Sequence, residues 1–146
     1  MEYMERRRFL VLLPAAAATL MGAEASVFRG KLTRTPSGAP ALLLGGKLVP
    51  LDGDSDTVGV LKDARLANAD FEVIGQLAQA QEPAGSPIRI NPIHTRALFT
   101  YKNGRRLVVT YWCDVCAIRT YTPGICWCCR EETALDLIEP DTVEKA

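Results

Sequence analysis

The residues best equipped for chemistry are five cysteines, all within positions 113–129 of a 146-residue chain. Four of them, Cys113, Cys116, Cys126 and Cys129, fit the pattern C-x2-C-x9-C-x2-C. A C-x2-C pair puts two thiolates on one tight turn whose backbone N–H groups point at sulfur. Two such turns facing each other supply four ligands in a tetrahedron, about 2.3 Å from a zinc ion. Thr122-Pro123-Gly124 provides the reversal that brings the second turn under the first. Cys128 keeps other pairings open, but Cys126 with Cys129 repeats the first spacing and is preferred. Cys128 and the single histidine, His94, are the candidate extra ligands, although a lone histidine is more often structural or solvent-facing. Thiolate tetrahedra also accept iron, and thiolates copper(I), so zinc is the first of three candidate metals.

Other uses of these thiols compete. Five is an odd number, so a disulfide cluster would leave one thiol free or paired between molecules. Trp112-Cys113-Asp114-Val115-Cys116, following a strand, resembles the thioredoxin W-C-x-x-C motif. The helix that would lower the first thiol's pKa is missing there, and residues 120–125 read as turn. No Ser/His/Asp set, catalytic carboxylate pair or phosphate loop is present, so no catalytic residue is assigned and an enzyme is not favoured.

The elements that must position the cysteines read as β-strands. Residues 96–101 and 107–112 flank Asn103-Gly104, the strongest short hairpin signal, and the second arm runs straight into Cys113. Lys102, Arg105 and Arg106 then form a solvated hairpin tip. Upstream, residues 27–35 alternate as a half-buried strand, with Arg29, Lys31 and Thr33 on the charged face. Residues 41–44 and 47–51 form a hairpin about Gly45-Gly46. Asp52, Asp54 and Asp56 alternate in a polar loop, but the sixth position from Asp52 is Thr57, not the glycine of a calcium loop. Residues 57–68 are a short helical window, and 71–77 another strand. Residues 79–87 are a linker, and 88–93 a last short strand holding Pro92, which suggests an edge. Residues 131–138 read as helix-like, and the polar residues 139–146 as a frayed tail.

This order, three strands, a helix and two strands over 26–92, is that of an OB-fold barrel, and the segment resembles small exported OB-type barrels. The fold class expected is mostly β: an OB-like five-stranded barrel with one short helix, then a β-hairpin and a four-cysteine, zinc-ribbon-like knuckle over 93–138. Tyr111-Trp-Cys113-Asp-Val-Cys116 followed by Pro123-Gly124-Ile-Cys126-Trp-Cys128-Cys129 resembles a zinc ribbon. It is especially similar to the short heavy-metal-binding module of copper transport and efflux proteins, Y-x-C-P-x-H … P-G-x-C-P-x-C-G-M-x-L. Tyr111, Cys113, Pro123, Gly124, Cys126 and Cys129 match that pattern. Cys116 stands at its histidine, the interval is one residue shorter, Asp114 and Trp127 replace its prolines, and Arg130-Glu131 replace its Gly-Met. The resemblance implies metal binding over these residues.

Composition and the N-terminus bound the setting. Lys and Arg number 17 and Asp and Glu 17, with no basic stripe, which argues against a nucleic-acid partner. Arg6-Arg7-Arg8, the apolar run 9–21 and Ala23-Glu24-Ala25 read as an export signal over 1–25, cleaved after Ala25. Arg6-Arg7-Arg8-Phe9-Leu10 resembles the twin-arginine core with Glu5 in place of its Ser or Thr, so the Sec route stays open. The mature chain would then be periplasmic or secreted, without a transmembrane span, in an oxidising space where thiols pair unless a metal holds them. The reading as a whole is an exported envelope protein with a structural zinc, acting on an unknown protein or small ligand as a binding or scaffolding module. The alternative is a thiol redox or heavy-metal handling protein in which the cysteines themselves act.

Overall fold

A computed structural model describes residues 24–78 and 86–145. The expected leader, apart from Glu24 and Ala25, and most of the expected linker lie outside the described residues.

Five strands close into a barrel. β1 (Ser26–Arg34), β2 (Pro40–Leu44) and β3 (Lys47–Asp52) form an antiparallel meander. Gly45 and Gly46, at φ 53° and 84°, make the two-residue turn whose twist matches its strands. β4 (Asp70–Leu77) pairs antiparallel with β1, and β5 (Ile88–Ile90) lies between β3 and β4, parallel to the first and antiparallel to the second. The circuit β1-β2-β3-β5-β4-β1 is the OB-like barrel expected from the element order. β5 departs from expectation: it closes the barrel and is no edge. Its Ile88 and Ile90 are buried, and Pro92, which suggested an edge, falls beyond the strand.

Two glycines permit the barrel's tight approaches. β1 passes from β4 to β2 around Gly30, and β4 passes from β6 to β5 around Gly75. A Cβ on either would stand 2.2 Å from a backbone carbonyl oxygen, of Leu43 and Arg89 respectively. No side chain could yield enough to admit one.

The helical window divides in two. Asp54 accepts the Thr57 N–H and starts α1 (Ser55–Leu61) two residues before the expected position. The alternating aspartates are thus used locally, one as a helix cap. After Lys62 the chain restarts as a single 3-10 turn, Ala64–Leu66, capped by Asp63, and Asn68 at φ 63° ends it. Val60, Leu61 and Leu66 enter the core with Leu32, Leu42, Phe71, Val73 and Ile88.

The sheet continues out of the barrel. β6 (Leu98–Lys102) pairs with the first half of β4, and β7 (Arg105–Cys113) with β6, across Asn103 (φ 54°) and Gly104 (φ 76°). Leu98, Val109 and Tyr111 belong to the same core cluster as the barrel residues. β8 (Ile118–Thr120) pairs with the end of β7. Residues 131–138, read as helix-like, instead hold a strand, β9 (Ala134–Ile138), along the other edge of β7 from Val108 to Trp112. The helical reading gave weight to apolar residues spaced among acids. The long unpaired edge of β7 decided the outcome, since its buried N–H and C=O groups need partners. The tail also departs from the frayed expectation: Pro140–Glu144 form a short helix, α2, with Pro140 at its first turn.

Candidate metal centre

Cys113 is the last residue of β7, so the first ligand stands on a strand hydrogen-bonded on both edges. The Cys113–Ile118 pairing closes the first knuckle. The second is a small hairpin of its own. Cys126 N–H donates to Glu131 O at 2.8 Å, Arg130 N–H to Cys126 O at 2.8 Å, and Ile125 bridges Glu132. The Thr133 N–H and hydroxyl both donate to Gly124 O, at 3.1 and 2.9 Å, and fasten its base.

The two knuckles repeat one device. The residue after the second cysteine of each, Ala117 at φ 52° and Arg130 at φ 63°, is left-handed. For residues with a Cβ this conformation costs roughly 1–2 kcal/mol. Arg130, like Ala117, makes this turn without the freedom of a glycine. The repetition pairs Cys126 with Cys129, as the spacing suggested, and sets Cys128 aside.

The four sulfurs of Cys113, Cys116, Cys126 and Cys129 lie within 4.8 Å of one another, with Cys113 and Cys129 at 3.4 Å. A sulfur tetrahedron around an ion about 2.3 Å away has edges of about 3.8 Å, so the spacing fits a metal ion. All five thiols are free, and 3.4 Å is well beyond a disulfide bond of about 2.05 Å. Cys113 and Cys126 are buried, Cys116 and Cys129 half-buried. Cys128 is exposed, outside the tetrad, its thiol bordering Cys116. His94 is elsewhere: its Nε2 is 2.6 Å from the carbonyl of Tyr121, tying the 3-10 turn His94–Arg96 to the end of β8. The tetrad thus comprises the four predicted ligands and neither candidate extra.

The thiols differ in acidity. The Cys129 and Cys128 backbone N–H groups stabilise the Cys126 thiolate and lower its pKa to about 7. The Cys128 thiol, desolvation and the remaining thiols push Cys116 well above the usual range. The Glu131 N–H favours the Cys129 thiolate, but desolvation and the Cys113 thiol outweigh it, and Cys129 is raised. One sulfur ionises readily and its neighbours then resist. A cation at the centre would remove that resistance, coupling metal binding to thiol deprotonation.

A junction that sequence reasoning missed locks this centre to the barrel. Tyr111, fully buried two residues before Cys113, donates its hydroxyl to Asp63 Oδ2 at 2.9 Å. Asp63 also takes the Arg65 guanidinium, which donates through Nη1 to Thr133 O at 2.9 Å. The short turn after α1 therefore grips both β7 and the segment that closes the second knuckle. Desolvation raises Asp63, but the hydrogen bonds from Arg65 and Tyr111 prevail and hold its carboxyl below the usual range. Burial, then the bond to Asp63, pushes the Tyr111 phenol far up. The only sequence signal was Asp-x-Arg after a helical window, too common a pattern to mark a junction.

Comparison with protein-family models, with curated proteins and with solved structures returned no match. Among the described residues no helix is long and apolar enough to cross a membrane.

Asp63→Ala should lower unfolding stability by about 2–3 kcal/mol in denaturant titration, because it leaves the Tyr111 hydroxyl and the Arg65 charge without their acceptor. A carboxyl with a depressed folded pKa stabilises above its unfolded value, about 3.9, and the contribution is lost as pH falls through the folded value. The acid limb of the wild-type stability curve should accordingly be steeper than that of the variant. Equal stability and equal acid limbs would remove the junction from the account.

Proposed function

We propose that the protein is an exported cell-envelope binding or scaffolding module whose four thiolates hold one structural zinc ion in a zinc-ribbon-like knuckle beside an OB-type barrel. The observation that carries the proposal is the mutual approach of Cys113, Cys116, Cys126 and Cys129 to within 4.8 Å. The residues fit the metal by donor type, number and spacing. When bound, the ion would supply charge neutralisation and a cross-link between two hairpins too small to fold on a core of their own. Cys113 and Cys126 would hold it from the buried side, Cys116 and Cys129 from the half-buried side.

Two further observations support a binding role. Trp127, Val115 and Ile125 are 76%, 70% and 69% exposed, more than any other large apolar side chain among the described residues. They occupy the two knuckles, between or beside the ligands, where the metal would set their positions. Exposed apolar side chains grouped on two adjoining turns are candidates for a contact surface. Arg6-Arg7-Arg8, the apolar run 9–21 and Ala23-Glu24-Ala25 support export with cleavage after Ala25. Protein recovered from the periplasm or medium should begin at Ser26, and recovery only in the cytoplasm with the leader intact would contradict export.

A second reading, heavy-metal or thiol handling, is favoured by Cys128. An exposed thiol bordering Cys116 is placed to take over a ligand position during metal exchange. Serine substitutions separate the readings. Under the structural reading, Cys113→Ser should abolish ordered amide protection across the knuckles while Cys128→Ser leaves fold and metal content unchanged. An intact fold in Cys113→Ser, with lost thiol or metal-transfer activity, would favour the handling role and overturn the structural one.

A further inference from the structure

A cleft of about 570 Å³ opens on the side of the β6–β7 ladder, walled by the turn His94–Arg96, by Tyr121 and by α2. Its volume lies in the range of small-molecule sites, about 300–1,000 Å³. Phe99, Val108 and Val143 give it an apolar lining, and Thr95, Arg96 and Tyr121 contribute polar groups.

The charges around the cleft are not equivalent. Arg106 is already engaged: its Nε and Nη2 donate to Glu72 Oε1 at 3.0 and 2.7 Å, and its guanidinium covers the Phe99 ring 3.5 Å from the centroid. That pair fixes the floor and neutralises the Arg106 charge. The Arg96 guanidinium, by contrast, has no hydrogen bond or ion pair among the described residues, and neither have the hydroxyls of Thr95 and Tyr121. The only acid of the lining, Glu144, is exposed in α2 and does not pair with Arg96. The bond from His94 Nε2 to Tyr121 O joins the backbones of the two walls that carry these donors.

We infer that this cleft binds a small organic carboxylate with an apolar body, its carboxylate on Arg96 and the Thr95 and Tyr121 hydroxyls, its body on Phe99, Val108 and Val143. Arg96 offers a guanidinium fork suited to a carboxylate, and the apolar lining rewards burial of the remainder. The site is separate from the cysteines and needs none of them as a contact.

The test is a ¹H–¹⁵N correlation titration of the full chain, supplied with zinc, using 3-phenylpropionate as the probe and neutral 3-phenylpropionamide as its control. Saturable shifts should be confined to amides around Thr95, Arg96, Tyr121 and Val143. The amide should bind about tenfold more weakly, and Arg96→Met should weaken the acid by about the same factor, as expected for loss of one charge-assisted contact. Glu144→Gln should keep or tighten binding. Absence of saturable shifts, equal binding of acid and amide, shifts centred on the knuckles, or an Arg96→Met variant that binds like the wild type would each overturn the proposal.

Discussion

Four sulfurs within 4.8 Å of one another impose the constraint on which the rest of the C-terminal structure depends. Once one is a thiolate, each further ionisation works against it, and the half-buried setting gives water little room to screen them. Two left-handed residues with side chains, Ala117 and Arg130, add conformational cost at the same place. Neither cost is offset by local apolar burial, since Val115, Ile125 and Trp127 face solvent. A central cation would answer both, because it would reward four close thiolates and fix the turns that present them.

The barrel's part is to hold one side of that site still. β7 has β6 and β8 in series along one edge and β9 along the other, so Cys113 ends a strand that cannot easily twist away. The Asp63–Arg65–Tyr111 junction then carries barrel rigidity to the second knuckle through Thr133. Arg119 adds a second tie, donating to Thr110 Oγ1 at 2.6 Å and Asp136 Oδ2 at 2.7 Å across β7, β8 and β9. Charged and hydroxyl groups thus join the knuckles to the core beside the apolar packing of Tyr111, Leu135 and Leu137. Electrostatic ties of this sort are directional, which suits the placement of ligands.

Local signals in the sequence were read correctly where they were sufficient in themselves. Asn103-Gly104 and Gly45-Gly46 specify their turns through positive φ, and C-x2-C repeated twice specifies the tetrad through ligand spacing. The alternation of β1 needs only one buried face, whereas β4 is buried on both faces at Phe71, Glu72 and Val73. What failed depended on partners distant in sequence. β5 is three residues long and becomes a central strand only because β3 lies parallel to it. β9 carries a pattern compatible with either period, and the open edge of β7 decides it. Asp63, Arg65 and Tyr111 are ordinary residues until the fold brings them together. The count leaves one thiol over, the repeated spacing prefers Cys129 to Cys128, and the repeated left-handed turns explain why Cys129 takes the ligand position.

The central claim, that the tetrad is a metal site, is tested most directly by native mass spectrometry of the chain purified without chelator. The account predicts one transition-metal ion per molecule, with Cys113, Cys116, Cys126 and Cys129 protected from alkylation until a chelator removes it and Cys128 modified freely. A metal-free mass short of four hydrogens, with those cysteines joined in disulfides, would contradict it.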